Sequence, residues 1–498
     1  MNNVAEESFR PVHQISTRRR AGILLHITSL PGPGVVGDLG RDAYHFVDFL
    51  VSSGVSVWQI LPIGPTMHDN SPYQSSSVYA GNPRLISLEL PLQKGWLEAI
   101  PESEDVLSDA VKSYAIKLAW EGFKERADKV DRDDYQRFVA EQKHWLEDYV
   151  LFQALHQEEG GCWWNWHTTL RDREPQAIAE TRARFTETID VIRFEQYLFF
   201  TEWMNLKHYA NERGVLLFGD LPIFVAHDSA EVWAHREFFD LLGDGHPRVV
   251  AGVPPDYFSE TGQRWGNPLY CWERLEADDF SFWIERLRAQ STLFDFLRID
   301  HFRGFEAYWE IPAEEKTAVN GRWVEAPGER LFEQLYTDLP DLELVAEDLG
   351  VITPEVDALR KAYHLPGMKI LQFAFSGGAD NPYLPFHHTR DSVVYTGTHD
   401  NDTTLGWYRG LDDGTREFVD DYLGKPREAM PWPLVRAALA SRANLAVIPF
   451  QDVLALDGAH RMNTPGTTEG NWDWRFDWEQ IKHGTAERLL RSIKMYGR

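Results

Sequence analysis

The sequence predicts an α/β protein, a (β/α)8 barrel with helical and loop insertions between its strands. Short runs rich in Val, Ile, Leu and Phe alternate with stretches of helical periodicity, which is the pattern of βα units around a parallel sheet. Eight such runs can be distinguished, and a chain of 498 residues is long enough for one barrel with long insertions. The alternation alone also fits an open parallel sheet, and the count of eight favours closure.

The eight predicted strands are unevenly spaced along the chain. About 150 residues separate the second from the third, far more than one βα crossover needs. The predicted strands cover residues 22–30, 56–63, 215–221, 293–299, 342–347, 368–373, 392–397 and 444–450.

The long gap indicates an insertion rather than a separate domain. Residues 131–157 and 190–211 place apolar side chains at helical spacing among charged ones, so residues 80–210 are predicted to form a mainly helical subdomain. Residues 226–292 are predicted to form a second insertion, in which the Pro-, Gly- and aromatic-rich segment 254–268 is an active-site loop. No linker or internal repeat divides the sequence, and residues 1–498 are interpreted as one catalytic barrel.

The composition restricts the function. Lys and Arg number 50 against 77 Asp and Glu, a formal net charge of −27, and such a surface repels phosphate backbones and anionic lipids. Nucleic-acid and membrane partners are therefore not expected. The chain has 19 Trp, and although core packing accounts for most of them, flat rings also stack on sugar faces.

Cysteine usage and apolar runs indicate a cytoplasmic protein. Cys162 and Cys271 are far apart and are interpreted as reduced thiols. No stretch approaches the ~20 apolar residues of a membrane helix, and no signal core follows the N-terminal arginines. No residues have the spacing of metal ligands, so neither a metal nor another cofactor is expected.

Four predicted strands end in a carboxylate, where a parallel barrel places its catalytic side chains. These residues are Asp220, Asp300, Glu347 and Asp400. Any one of them is as well explained as a cap for the following helix, but all four together are hard to explain as caps.

Two carboxyl groups are what the cleavage of a glycosidic bond requires, one as nucleophile and one as acid. Arg298 precedes Asp300 by two residues, so both side chains point to the same face of a strand and the cation favours an ionised aspartate. Asp300 is therefore the better nucleophile, and Glu347 on the next strand is the better acid and base.

Several segments resemble the signature segments of amylomaltases, bacterial 4-α-glucanotransferases related to the α-amylases. They extend over nearly the whole chain and show no departure at a catalytic position. The segments are residues 71–75 (SPYQS), 219–224 (GDLPIF), 254–258 (PPDYF), 262–268 (GQRWGNP), 296–304 (FLRIDHFRG), 345–350 (VAEDLG), 397–401 (GTHDN) and 461–467 (RMNTPGT).

The resemblance implies a retaining double displacement. Asp300 would form a covalent glucosyl-enzyme, Glu347 would act first as acid and then as base, and Asp400 would hold the 2- and 3-hydroxyls of the same sugar. Arg298 would orient Asp300. The other residues expected to bind substrate are Tyr73, Asp220, Tyr257, Phe258, Gln263, Trp265, His301, His399 and Asn463.

Three of these expectations have alternatives. Tyr73 and Trp265 are expected as aromatic platforms for the acceptor and donor arms, with ordinary packing as the alternative; their polar, Gly- and Pro-containing surroundings suit exposed loops better than a core. Asp220 is equally well explained as a carboxylate that fixes Arg298 from behind. The two histidines are expected near the cleaved bond, with a structural role as the alternative.

The expected reaction is transfer of α-1,4-glucan segments between maltooligosaccharides or longer α-1,4-glucans. Transfer is inferred from the resemblance alone, and hydrolysis is the alternative within the same class, since the two share a first half-reaction. A barrel that only binds sugar, or serves as a transport-subunit ectodomain, is disfavoured because the three catalytic carboxylates are present. A monomer or a homodimer is expected.

Overall fold

The computed structural model describes residues 17–101, 107–255 and 259–498. Its strands, numbered in chain order, form two sheets. The barrel strands are β1 (Arg20–Leu24), β2 (Val57–Gln59), β3 (Leu216–Leu221), β6 (Phe296–Ile299), β9 (Leu344–Ala346), β10 (Gly367–Ile370), β11 (Ser392–Tyr395) and β12 (Leu445–Pro449). The second sheet contains β4 (Val249–Val253), β5 (Gln263–Pro268), β7 (Ala307–Pro312) and β8 (Arg322–Glu325).

The eight barrel strands are parallel and form a nearly closed barrel, which confirms the predicted fold class. Their order is β10-β11-β12-β1-β2-β3-β6-β9, so strands that follow one another in the barrel are neighbours in space. Each predicted strand overlaps one of them. Between β9 and β10, the two ends of this order, the Ala346 amide donates to the Pro366 carbonyl at 2.9 Å.

The strands are apolar because both of their faces are buried, one inside the barrel and one under the helices. Inside the barrel, the rings of Phe218 and Phe296 stack with centroids 4.3 Å apart. Further buried side chains that fill the interior are Leu24, Val57, Val345, Met368, Ile370, Val393, Tyr395, Leu445 and Val447.

The helices cover the barrel and build the long insertion. They are Arg41–Ser52, Glu89–Gln93, Asp109–Arg126, Lys129–Glu141, Lys143–Glu159, Thr168–Arg171, Pro175–Arg184, Thr186–Glu212, Ala230–Ala234, Trp272–Ala277, Ser281–Leu293, Gly328–Asp338, Pro354–Ala362, Thr404–Gly410, Asp413–Tyr422, Trp432–Ala440, Phe450–Val453 and Thr485–Met495.

The chain between β2 and β3 is mainly helical. The single helix predicted over residues 131–157 is two helices, because the chain turns at Gln142, whose side chain accepts a hydrogen bond from the Trp145 indole at 2.8 Å. The helix predicted over residues 190–211 extends over Thr186–Glu212 and returns to the barrel, where Trp203 donates to the Leu293 carbonyl. The division at residues 80–210 stays a prediction.

The second sheet is antiparallel in the order β5-β4-β7-β8. It is assembled from two crossovers, since β4 and β5 lie between β3 and β6 while β7 and β8 lie between β6 and β9. The predicted insertion at residues 226–292 contains β4, β5 and the helix Ser281–Leu293, which packs against barrel strand β6. Its boundaries also stay a prediction.

Among the described helices, none has both the length and the apolar character that crossing a membrane requires. Cys162 and Cys271 are free thiols. The described residues contain no group of three or more His, Cys, Asp or Glu that could hold a metal ion.

Candidate active site

The predicted catalytic side chains lie together at the C-terminal ends of neighbouring strands. Asp220 is the next-to-last residue of β3, Asp300 follows β6, Glu347 follows β9 and Asp400 follows β11. Parallel strands bring these ends to one rim of the barrel, and registers such as Asp220 opposite Arg298 place them side by side.

Arg298 lies at the centre of a buried ionic network. Its Nη1 donates to both oxygens of Asp220 at 2.7 Å, and its Nη2 donates to Oδ1 of Asp300 at 2.6 Å. The Tyr73 hydroxyl completes the network by donating to Asp220 Oδ2 at 2.8 Å. Burial raises the pKa of the Asp220 carboxyl, and the positive charge of Arg298 acts against that shift.

The network separates a buried carboxylate from an accessible one. The side chain of Asp220 is 0% exposed, whereas that of Asp300 is 31% exposed. Gly219 is required beside Asp220, because a Cβ there would lie 2.5 Å from the Phe294 ring. Asp220 thus lies behind Arg298, and Asp300 is the member of the network that can reach a ligand.

Glu347 is buried next to Asp300 and held by two backbone amides. Its Oε2 accepts from the His301 amide at 2.7 Å and its Oε1 accepts from the Leu349 amide at 2.9 Å. Burial raises the pKa of the Glu347 carboxyl to about 8; Arg298 acts against that shift and the negative charge of Asp300 adds to it. The neutral form of this carboxyl is therefore favoured near neutral pH.

His301 is held in the left-handed region, with φ 52°, directly after Asp300. Burial lowers the pKa of its imidazole to about 4, so the ring is neutral. Its Nε2 is buried and has no hydrogen-bond partner in the described part of the chain. The Trp265 indole meets the ring edge-on, with centroids 4.9 Å apart. The arrangement leaves one imidazole nitrogen available to a hydroxyl group.

Asp400 lies across the barrel mouth, with a side chain that is 46% exposed. The Asn463 amide donates to its Oδ1 at 2.6 Å, and Nε2 of His399 lies 3.4 Å from the same oxygen. The His399 ring in turn stacks on Tyr73 with centroids 5.2 Å apart. Four of the predicted site residues are therefore in continuous contact along one side of the barrel mouth: Asn463, Asp400, His399 and Tyr73.

Two other predicted residues lie on β5, at the edge of the second sheet. The Trp265 indole donates to the Gln263 side chain at 3.1 Å, and the Trp265 ring is half-buried beside His301. Tyr257 and Phe258 fall outside the described residues.

Sequence reasoning missed several residues that line the same mouth. Trp472 lies 5.9 Å, between ring centroids, from both Tyr73 and His399. Arg461 donates from Nη2 to the Asp400 carbonyl at 3.0 Å. His26, a polar residue just after β1, is buried, and with His399 it lines a cavity of about 20 Å³. The available signals were the interruption of the first apolar run by His26 and the place of Arg461 in the signature segment at residues 461–467.

Comparisons with known proteins agree over nearly the whole chain. A family model described as 4-alpha-glucanotransferase matches residues 25–480. The chain belongs to the 4-alpha-glucanotransferase family. Its members act as enzymes that transfer α-1,4-glucan segments, and the resemblance drawn from the signature segments is confirmed.

Individual relatives support the family assignment. A 4-alpha-glucanotransferase of Thermus thermophilus is 52% identical, covering 95% of this chain and 98% of its own. One from Synechocystis sp. is 46% identical, covering 97% and 98%. A structure of amylomaltase from Streptococcus agalactiae in complex with acarbose superimposes with a TM-score of 0.93 at 35% identity, covering 97% of this chain and 100% of that one.

Proposed function

We propose that this enzyme transfers α-1,4-glucan segments by a retaining double displacement with Asp300 as nucleophile and Glu347 as acid and base. The observation that supports this assignment is the contrast between neighbouring carboxyls, one ion-paired with Arg298 and accessible, the other buried with a pKa raised to about 8. A buried carboxyl with a raised pKa beside an accessible, ion-paired carboxyl is the combination that glycoside cleavage uses.

In the first half-reaction, an Asp300 oxygen attacks the anomeric carbon of the donor glucose. The bond from that carbon to the 4-oxygen of the next glucose breaks, and Glu347 donates its proton to the departing oxygen. The products are a covalent glucosyl-enzyme, a released glucan and an ionised Glu347. The Arg298 guanidinium, 2.6 Å from Asp300, keeps the nucleophile ionised and oriented.

In the second half-reaction, the 4-hydroxyl of an acceptor glucan attacks the same carbon. Glu347 takes the proton of that hydroxyl, and the bond from the sugar to Asp300 breaks. The two inversions restore the α configuration, and both carboxyls return to their starting states. If water took the acceptor's place, the outcome would be hydrolysis.

The remaining predicted residues are proposed to bind the sugar that reacts. Asp400 accepts hydrogen bonds from its 2- and 3-hydroxyls, and His301 and His399 contact hydroxyls near the cleaved bond. Asn463 contacts the sugar from the side of Asp400, and Gln263 contacts it from β5. Tyr73 and Trp265 supply ring faces for the glucan on either side. Asp220, which has no exposed side-chain surface, acts by fixing Arg298.

The proposal extends to the substrates, the cellular compartment and the state of assembly of the enzyme. The substrates are maltooligosaccharides and longer α-1,4-glucans. Two free thiols suit a reducing compartment such as the cytoplasm. The state of assembly, monomer or homodimer, stays a prediction.

A trapping experiment tests the two catalytic roles. α-Maltotriosyl fluoride has a leaving group that needs no proton, so Glu347→Gln should still complete the first half-reaction and then stall without a base. Mass spectrometry of this variant should show the added maltotriosyl unit, and peptide mapping should place it on Asp300. The control, Glu347→Gln combined with Asp300→Ala, should show no adduct. An adduct on another residue, or turnover as fast as wild type, would contradict the assignment.

A further inference from the structure

The segment that contains Asp400 is a short loop between two buried threonines. Thr396 directly follows the last residue of β11, and Thr404 is the first residue of the helix Thr404–Gly410. Both threonines are 0% exposed, while Asp400 between them projects into the cleft with nearly half of its side chain accessible. Asn463 and Arg461 contact Asp400 directly, and the course of the backbone that carries Asp400 depends in addition on what holds the two ends of this loop.

Asp452 holds both ends at once. It lies in the short helix Phe450–Val453, directly after β12, and it is 0% exposed. Its Oδ2 accepts from the hydroxyls of Thr396 and Thr404, each at 2.6 Å. Its Oδ1 accepts from the Thr404 amide at 2.8 Å. One carboxylate thus joins the start and the end of the loop to the neighbouring barrel strand.

This carboxylate is costly to bury. No cation among the described residues forms an ion pair with Asp452; burial and the nearby negative charge of Asp402 raise the pKa of its carboxyl, and the hydrogen bonds from Thr396 and Thr404 oppose that shift. When a buried polar group has no opposite charge beside it, only its hydrogen bonds offset the free-energy cost of removing it from water. An apolar residue of similar shape would fill the same space at lower cost. The group is therefore suited to fix geometry rather than to fill volume.

Other contacts fix the middle of the loop. The Asn401 side chain accepts from the backbone amide of Thr398 at 2.8 Å and from its hydroxyl at 2.9 Å. Gln372 donates to the Asp402 carbonyl at 2.8 Å. These bonds shape the turn and join its end to the chain after β10, whereas the side-chain hydroxyls at both ends of the loop are held by Asp452.

We propose that Asp452 is a positioning residue for the transfer reaction, which holds Asp400 in register with the reacting sugar through Thr396 and Thr404. The inference rests on the proposed role of Asp400 and extends it to a residue that touches no substrate. Groups that bind a transition state must be held within a fraction of an ångström, and small displacements reduce rate more than they reduce binding.

Asp452→Asn tests this inference with almost no change in shape. The amide nitrogen can only donate, so the two threonine hydroxyls lose the carboxylate oxygen that accepts from them and must turn to accept from the amide, which replaces two short charge-assisted bonds by weaker neutral ones. We expect kcat with maltotriose to fall about 10- to 100-fold, as for a displaced catalytic group, while KM changes little. Purified full-length protein and its thermal unfolding midpoint give the reference for folding.

A donor lacking one hydroxyl separates positioning from general damage. α-Maltotriosyl fluoride is compared with its analogue that lacks the 3-hydroxyl on the fluoride-bearing glucose. Wild type should prefer the parent donor, and both Asp452→Asn and Asp400→Ala should reduce that preference in kcat/KM. Thr404→Val, which removes one hydroxyl donor, should reduce it to a smaller extent and non-additively with Asp452→Asn.

Two control variants should keep the full preference. Asp412→Asn makes the same exchange at a carboxylate that accepts from the Thr415 amide and hydroxyl in a helix away from the loop. Leu489→Ala removes a buried side chain from the helix Thr485–Met495 and so destabilises the fold elsewhere.

The results distinguish this inference from the proposed function. Wild-type preference for the 3-hydroxyl in folded Asp452→Asn and in both Thr404→Val and Thr396→Val would overturn the inference. If Asp452→Asn does not fold, Thr404→Val and Thr396→Val decide, and an unchanged preference in both would overturn it. Full activity and preference in Asp400→Ala would instead refute the proposed role of Asp400 itself.

Discussion

At the scale of single residues, the proposed mechanism depends on the protonation of Glu347. Its carboxyl is buried beside Asp300, and both burial and that negative charge favour the neutral form. Arg298 acts against this shift, but its guanidinium is hydrogen-bonded to Asp220 and Asp300. Glu347 therefore has the environment that the proposed proton donor needs.

The raised pKa predicts the basic limb of the pH profile. The neutral form of Glu347 persists up to its pKa of about 8, so kcat/KM for maltotriose should be lost as pH rises through that value. Initial rates between pH 5 and pH 10 measure the limb. With α-maltotriosyl fluoride, whose leaving group needs no proton, the limb should be much weaker. If the limb persists unchanged in Glu347→Gln, another group is titrating.

His301 shows how one residue serves two neighbours. Its backbone amide donates to Glu347, while its neutral ring lies beside Trp265 with an Nε2 that hydrogen-bonds to none of the residues that the structure describes. The left-handed backbone at His301 turns the chain immediately after Asp300, which makes both contacts possible.

At the scale of elements, β9 and β10 form the junction where the two ends of the barrel sheet meet. Asp348 lies next to Glu347 in the chain but points the other way, toward this junction. Its Oδ1 accepts from the Met368 amide at 2.6 Å, and its Oδ2 lies 3.2 Å from Nε of Arg360. Asp348 thus joins β9 to β10, while Glu347 faces the cleft.

Gly367→Ala should open this junction. A Cβ at residue 367 would overlap the Asp348 carboxylate, so the strand or the carboxylate must shift. We expect the free energy of unfolding to fall by about 1–3 kcal/mol, the usual cost of overpacking, and activity to fall because Glu347 moves with Asp348. Urea unfolding and maltotriose turnover measure the two effects.

Gly410→Ala is the matched control for this substitution. Nothing lies within 4 Å of a Cβ added at residue 410, in the last turn of the helix Thr404–Gly410. Alanine favours a helix over glycine, so this variant should be as stable as wild type or slightly more stable. Equal stability of both variants would contradict the overlap at residue 367.

At the scale of the whole molecule, two separate parts of the chain contribute to the barrel mouth. The second sheet brings Trp265 against His301, and the chain after β2 brings Tyr73 against His399 and Asp220. Aromatic and polar surfaces on both sides of the carboxyls can hold a glucan acceptor where water would otherwise reach the glucosyl-enzyme.

Maltotriose alone therefore should yield glucose together with a ladder of maltooligosaccharides longer than the substrate. An acceptor held by the aromatic surfaces should compete well with water, so new reducing ends should form far more slowly than glucose is released. Chromatography of the products and a reducing-end assay measure both rates. Asp300→Ala should give no products. A mixture of glucose and maltose without longer chains would indicate hydrolysis instead.

The strands and their acidic ends were predictable because their signals are local. Alternating apolar runs identify β-strands, and a spacing of two residues places Arg298 and Asp300 on one face, where the structure shows them hydrogen-bonded. The break between the two helices at Gln142 was not predictable, because neither proline nor glycine marks it in the sequence. The hydrogen bond from the Trp145 indole to the Gln142 side chain at this break is visible only in the structure.

The sequence by itself determined the fold class, the strand ends that hold carboxylates and, through long signature segments, the family. Only the tertiary structure decided which partners those carboxylates have. Asp220 is 78 residues from Arg298 and 147 from Tyr73, and Asp452 is 56 residues from Thr396. Such contacts depend on how the strands and crossovers pack in space, and no local periodicity encodes that arrangement.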